Sequence, residues 1–288
     1  MSPPARTFLA SLAARCDSFE ARHAATVQAA LQARPLAPAL RLEEGDLVHL
    51  PPPVQWYIRR SGAMGRPKVQ NFRLEFDAQL WARPGAAPMT CLSVQQNFIA
   101  QPARFFFLQT RMFGLPVQVL HAYADGQASF QVRAARLVSL VDQAGERLSR
   151  AETVTVLNDL AIFAPGALID RRLEWAPAGD RTAAVAFSNG RHRVTATLTF
   201  NERDELVNFV SDDRPAFVDG QYRPYRWSTP LEGHRDLDGL HLPAVGSTIY
   251  AYPEGDFTYG RFVLRSIAYD VTAPVGVSRG APLPATAL

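Results

Sequence analysis

The chain has 288 residues, 47% of them hydrophobic, enough for a real core in one large β-rich domain or two smaller ones. Its 30 basic and 27 acidic residues leave a formal charge of +3, a small excess that argues against nucleic acid as a partner. Lys68 is the only lysine, so Schiff-base chemistry has one poor candidate, and two cysteines are too few for a disulfide scaffold or a thiolate metal site.

That cysteine usage suits a reducing cytoplasm, and no stretch reaches the roughly 20 apolar residues of a membrane span. Arg6, Arg15 and Asp17 interrupt the N-terminus before it reaches the length of a signal-peptide core.

Residues 5–33 carry apolar positions at helical spacing (Phe8, Leu9, Leu12, Phe19, Val27, Leu31), and Pro35 and Pro38 forbid continuation. Pro51, Pro52 and Pro53 then lead into VQWYIRRSG, a short helix ended by Gly62. From there the period changes to two. In NFRLEFDAQLW, Phe72, Leu74, Phe76, Ala78 and Leu80 alternate with Arg73, Glu75, Asp77 and Gln79, the pattern of a half-buried strand. Strand-like runs follow at 90–99, 104–112, 117–123 and 127–140, joined by breakers short enough to imply antiparallel neighbours.

The stretch SRAETVTVLNDLAIFAPGALID reads as one apolar helix with a polar stripe. Glu152, Thr155 and Asp159 fall at i, i+3 and i+7 on one face, while Val154, Leu157, Leu160 and Ala161 cover the rest. A helix this apolar is buried, and buried carboxylates are costly unless paired, so the stripe faces a satisfied polar network or a cavity. Ser149 and Glu152 also match the capping box S-x-x-E, and a buried salt bridge is a further account of Glu152. Asn158 and Asp159 are poor helix formers in mid-helix, which calls for a compensating role.

Beyond the helix, Asn189-Gly190 sits between two alternating runs, a strong hairpin signal, and strands are expected near 205–211, 222–228, 246–252 and 257–270. The segment SDDR puts Asp213 beside Arg214: either a rim ion pair, or a guanidinium that clamps an anionic group with Asp213 orienting it. His121, in VQVLHAYAD, is a lone strand histidine, either structural or walled into a cavity by neighbouring aromatics. Phe105, Phe106 and Phe107 cannot all face one side of a strand, so some of them meet a second apolar environment, a cavity or a helix. No nucleophile elbow, P-loop, H-E-x-x-H, C-x-x-C or G-x-G-x-x-G is present.

The segments ETVTVLNDLAIFAPGALID, Glu174-Trp175, LTFNERDELVNFVSDDR and YRWSTP, with LPPPVQWYIRRSG, NFIAQPARFFF and FGLPVQVLHAY, resemble an uncharacterised bacterial family that carries a domain of unknown function. The resemblance runs from about Leu50 to Tyr269 and brings no reaction, cofactor or ligand with it. Similar sequences often read NDMC where this chain has Asn158-Asp159-Leu160-Ala161, which argues against an essential cysteine there. In architecture the pattern also resembles the lipoprotein-carrier fold, a curved sheet wrapped around helices.

The expected fold is α+β, mainly antiparallel β: a curved sheet or half-barrel wrapped around a central helix at 150–164. N-terminal helices fill 1–49, one β-rich domain spans 50–272 and a disordered tail follows over 273–288; a β-sandwich is the alternative. The expected function is binding of a small apolar or amphiphilic molecule between sheet and helix. Asn158, Thr155, Arg214, Asp213, Phe105, Phe107 and Trp175 are the candidate ligand contacts. The alternative is a cofactor-independent isomerase, cyclase or hydrolase using Asp159, Glu152 and His121 for acid–base chemistry. Neither reading calls for a metal or a cofactor.

Overall fold

A computed structural model describes residues 18–112, 114–135 and 138–276. The expected helix before residue 18 and the tail from 277 onward lie outside the described residues. Among those described, thirteen strands form one antiparallel sheet in the order β6-β5-β4-β3-β2-β1-β17-β16-β13-β10-β9-β8-β7. On one side these are β1 (Asn71–Leu80), β2 (Met89–Phe98), β3 (Ala103–Met112), β4 (Leu115–Ala124), β5 (Gln127–Ala134) and β6 (Val138–Ala144). On the other are β7 (Leu173–Gly179), β8 (Thr182–Asn189), β9 (His192–Phe200), β10 (Leu206–Ser211), β13 (Arg226–Glu232), β16 (Val245–Tyr252) and β17 (Gly255–Tyr269). Two small hairpins stand apart: β11 (Ala216–Val218) with β12 (Gln221–Arg223), and β14 (Arg235–Leu237) with β15 (Leu240–Leu242). Consecutive strands pair along each half, and β1 and β17 join the halves with Phe72 opposite Tyr269.

The sheet curls around one helix. Helix α3 (Glu146–Phe163) touches β5 and β6 near one edge and β9 and β10 near the other, so strands far apart in sheet order converge on it. Two turns also meet across its N-terminal end: Asn189 Nδ2 donates to Tyr123 Oη at 2.7 Å, and His192 Nε2 lies 3.0 Å from the carbonyl of Gly126. This is the α+β half-barrel expected, and the helix that a β-sandwich could not accommodate is its core.

The convex face is covered by α1 (Phe19–Ala33). Phe19 packs on Val94 and Phe107, while Val27, Ala30 and Leu31 pack on Phe98, Ala103 and Phe105. The short helix α2 (Pro52–Arg60) ends where Gly62 adopts φ +77°, and Tyr57 donates to the carbonyl of Ala161 at 2.9 Å.

Several local expectations are corrected. Strand β1 is buried on both faces, because α1 and residues 274–276 lie over its polar side. Arg73 there donates to Glu75 Oε1 at 2.5 Å and to the carbonyl of Gly276 at 3.0 Å. The run 127–140 is two strands, β5 and β6. In the β8–β9 hairpin the two-residue loop is Gly190-Arg191, with the positive φ of +58° at Gly190, rather than Asn189-Gly190.

Helix α3 starts three residues before Ser149, with Gly145 as N-cap, so no capping box forms. Ser149 Oγ instead donates to the Gly145 carbonyl and accepts from the Ala128 amide, both at 2.9 Å. The local pattern was overridden because the β5–β6 hairpin delivers the chain to the helix at Gly145.

Candidate functional site

Between the concave face and α3 lies a cavity of about 370 Å³. Gln95 from β2, Arg104 from β3 and His121 from β4 meet the polar side of α3 in it, and Arg214 and Thr229 meet it from the other half of the sheet. Glu152, Thr155, Asn158 and Asp159 all line it, as their shared helical face requires. Most of the remaining wall is apolar: Phe76, Leu80, Phe106, Leu108, Val119 and Phe262 from the sheet, and Ile162 from the helix.

Arg104 organises the polar end. Its Nε donates to Asp159 Oδ2 at 2.8 Å, its Nη2 to Gln95 Oε1 at 2.9 Å, and its Nη1 stands 3.5 Å from Glu152 Oε2. Gln95 closes the ring by donating to Asp159 Oδ2 at 2.8 Å. From the opposite half of the sheet Arg214 reaches in, its Nη2 at 3.6 Å from Glu152 Oε1 and its Nε donating to Thr155 Oγ1 at 3.1 Å. The guanidinium lies over the Trp227 ring, 4.6 Å from its centroid, and donates to the Tyr250 hydroxyl. Asn158 donates to Thr229 Oγ1 at 2.6 Å.

Glu152 is 1% exposed and His121 is 9% exposed. His121 Nε2 and Glu152 Oε2 are 3.3 Å apart, but their alignment is poor and neither atom has a hydrogen-bond partner. Burial, reinforced by Arg104 and Arg214, lowers the His121 imidazole to about 4, so it is neutral near pH 7. Burial pushes the Glu152 carboxyl up, but the charged and hydrogen-bonding groups around it outweigh burial and hold it below its usual range. With His121 neutral, Arg104 and Arg214 are the cations that keep Glu152 ionised. Asp159 shifts the other way: burial raises it and Glu152 adds to the rise, outweighing the pull of Arg104 and Gln95.

The other sequence candidates fall elsewhere. Phe105 and Phe107 face α1 on the convex side, and Phe106 is the member of the run that lines the cavity, because successive strand residues point to opposite faces. Asp213 does not orient Arg214. It accepts from Arg150 at 2.5 Å and from the Thr195 amide and hydroxyl at 2.7 Å, tying α3 to β9. Trp175 sits on the edge strand β7, donating to the Leu168 carbonyl at 3.3 Å, outside the cavity lining. Sequence reasoning missed Arg104, Gln95, Trp227, Thr229 and Tyr250. Arg104 was accessible in principle, since it shares strand parity with Phe106 and Leu108.

Cys91 is buried, and burial raises its thiol to about 11. Among the described residues no cluster of three or more His, Cys, Asp or Glu side chains could hold a metal ion. No described helix is long and apolar enough to cross a membrane.

The profile of a family of unknown function, DUF6544, matches residues 41–262. The chain belongs to the DUF6544 family. The match covers nearly the same stretch as the resemblance read between Leu50 and Tyr269, and it includes every strand and helix that builds the cavity's polar end. No curated protein matches this family member significantly. Among solved structures, it is similar to a candidate outer membrane lipoprotein-sorting protein domain from Vibrio parahaemolyticus. That likeness has a TM-score of 0.45 at 6% identity, covering 77% of this chain and 93% of that one. It is also similar to a LolA superfamily protein from Nitrosomonas europaea, with a TM-score of 0.37 at 10% identity, covering 74% and 92% respectively.

Proposed function

We propose that the protein binds a small amphiphile, with the apolar body in the cavity and the polar end against α3. One observation carries this reading: the charged groups of the lining, Arg104, Glu152, Asp159 and Arg214, form one linked cluster against α3, in a cavity whose remaining lining is mostly apolar. That segregation matches a ligand with one wet and one dry end. A roomy cavity lined by Phe, Leu and Val gains by exchanging water for hydrocarbon, at about 25 cal/mol per Å² of apolar surface covered.

The test uses 1-anilinonaphthalene-8-sulfonate, an aromatic body with one polar end, followed by its own fluorescence and by quenching of Trp81 and Trp227, both of which line the cavity. Saturable binding that is lost in Val119→Trp, with circular dichroism unchanged, is the expected result. Equal binding by parent and variant would place the probe elsewhere and sink the reading.

A second reading, acid–base catalysis without a cofactor, is favoured by the opposed shifts of Glu152 and Asp159 on one cavity wall. Two carboxylates pushed apart in this way supply a base and an acid at one pH. Their backbones stand about 10 Å apart, two helical turns, enough to bracket a small substrate.

A further inference from the structure

The cavity's apolar wall does not stop at its lining. On β3 the residues that share the concave face are Arg104, Phe106, Leu108, Thr110 and Met112, and the first three line the cavity. On β4 the matching row is His121, Val119, Val117 and Leu115, with Thr110 opposite Val117 and Met112 opposite Leu115. Thr110 interrupts this hydrocarbon surface least, because its hydroxyl is engaged with the Thr90 carbonyl at 2.7 Å.

At the outer end the row stays apolar where water would favour polar residues. Met112 is 36% exposed, Leu115 54%, and Val138, which continues the rim from Ala134 on β5, 57%. Single exposed apolar residues are ordinary, but adjacent ones that extend a cavity wall mark a surface with an occupant.

We infer that Met112, Leu115 and Val138 form an outer subsite for the distal part of a long-chain amphiphile whose polar end lies at Arg104 and α3. This rests on the amphiphile reading above and adds a ligand class to it: a single extended hydrocarbon chain rather than a compact apolar body. The geometry sets the scale. From Arg104 to Leu108 the strand advances about 13 Å, and from Arg104 to Met112 about 26 Å, at roughly 3.3 Å per residue. A chain that only fills the cavity uses the first span, and one that reaches the rim uses both. Each methylene withdrawn from water tightens binding about fourfold, so affinity should keep rising with chain length until the outer subsite is full.

The experiment is displacement of 1-anilinonaphthalene-8-sulfonate by straight-chain carboxylates from octanoate to octadecanoate, repeated with the alcohols of the same lengths to separate head chemistry from chain length. For the parent, affinity should climb through the series in both sets. In Leu115→Glu the climb should stop at a shorter chain, with octanoate affinity within about twofold of the parent and the longest chains weakened more than tenfold. Met112→Gln, at a second exposed position of the rim, should give the same truncated climb and guards against a folding defect in the first variant. A climb that stops at the same length in parent and both variants overturns the outer subsite while leaving the cavity reading intact. Flotation with phosphatidylglycerol vesicles is measured alongside, and variants that lose vesicle binding but keep the full chain-length climb overturn the subsite in favour of a membrane-facing rim. If no member of either series displaces the probe, the amphiphile reading itself fails.

Discussion

His121 Nε2 lies 3.3 Å from Glu152 Oε2, yet neither atom is hydrogen-bonded. Burial and the two flanking guanidiniums make His121 hard to protonate, with its pKa lowered to about 4. His23, on the buried face of α1 with its ring nitrogen 3.1 Å from the Phe105 carbonyl, is likewise lowered by burial to about 4. Unfolded histidine titrates near 6.5. Between those values the unfolded chain binds more protons than the folded one, so stability rises with pH across the window and is lost as pH falls through it. Urea unfolding should show a loss of about 2 kcal/mol per histidine on going from about pH 7 to about pH 5. His121→Asn should remove roughly half of that slope. An unchanged slope would mean that His121 titrates in the folded chain as it does in the unfolded one.

Among the described residues, Arg104 is the one cation that touches Asp159, Gln95 and Glu152 together. Arg104→Met leaves Asp159 without a cation and Glu152 with Arg214 alone, and should cost about 3–5 kcal/mol in urea unfolding. Adding Asp159→Asn should recover part of the loss, because the amide has no charge to leave unpaired. A double variant no more stable than Arg104→Met would show that the pair contributes nothing beyond Arg104 packing.

Phe105 and Phe106 are neighbours with opposite duties. Phe105→Ala opens a hole under α1 and should cost about 3–5 kcal/mol with little effect on probe binding. Phe106→Ala enlarges the cavity and should alter probe affinity with a smaller loss of stability. Reversed results would contradict the strand parity in the structure.

Asp159→Asn separates the two functional readings. In an amphiphile-binding protein the variant should fold and keep probe affinity within about tenfold of the parent, the scale of one hydrogen bond. In an acid–base enzyme it should abolish turnover without loss of binding. If the polar stripe is purely structural, the melting temperature should fall by several degrees with probe affinity unchanged.

The period-two runs and the apolar helix were readable because alternation and helical spacing report directly which face meets the core, and they led to the half-barrel. The stripe Glu152, Thr155 and Asp159 was readable for the same reason, since one helix fixes their common direction. Their partners were not. Arg104, Gln95 and Thr229 come from three separate strands, and only the curl of the sheet brings them to α3, where the one partner the sequence did single out, Arg214, joins them. Local rules misled where tertiary packing outweighed them, at Ser149, where an upstream hairpin sets the helix start, and at Arg73 and Glu75, where α1 buries the polar side of β1.

The seam between β1 and β17 joins the earliest and the latest strands of the main sheet to be synthesised, with Phe72 bonded beside Tyr269. A ribosome must therefore deliver nearly the whole chain before the sheet can become continuous. Until then the nascent protein carries two half-sheets with open edges, each able to pair with a stranger. Zipping that seam is the step of longest sequence separation, and it sets both the pace of folding and the interval in which a chaperone is most needed.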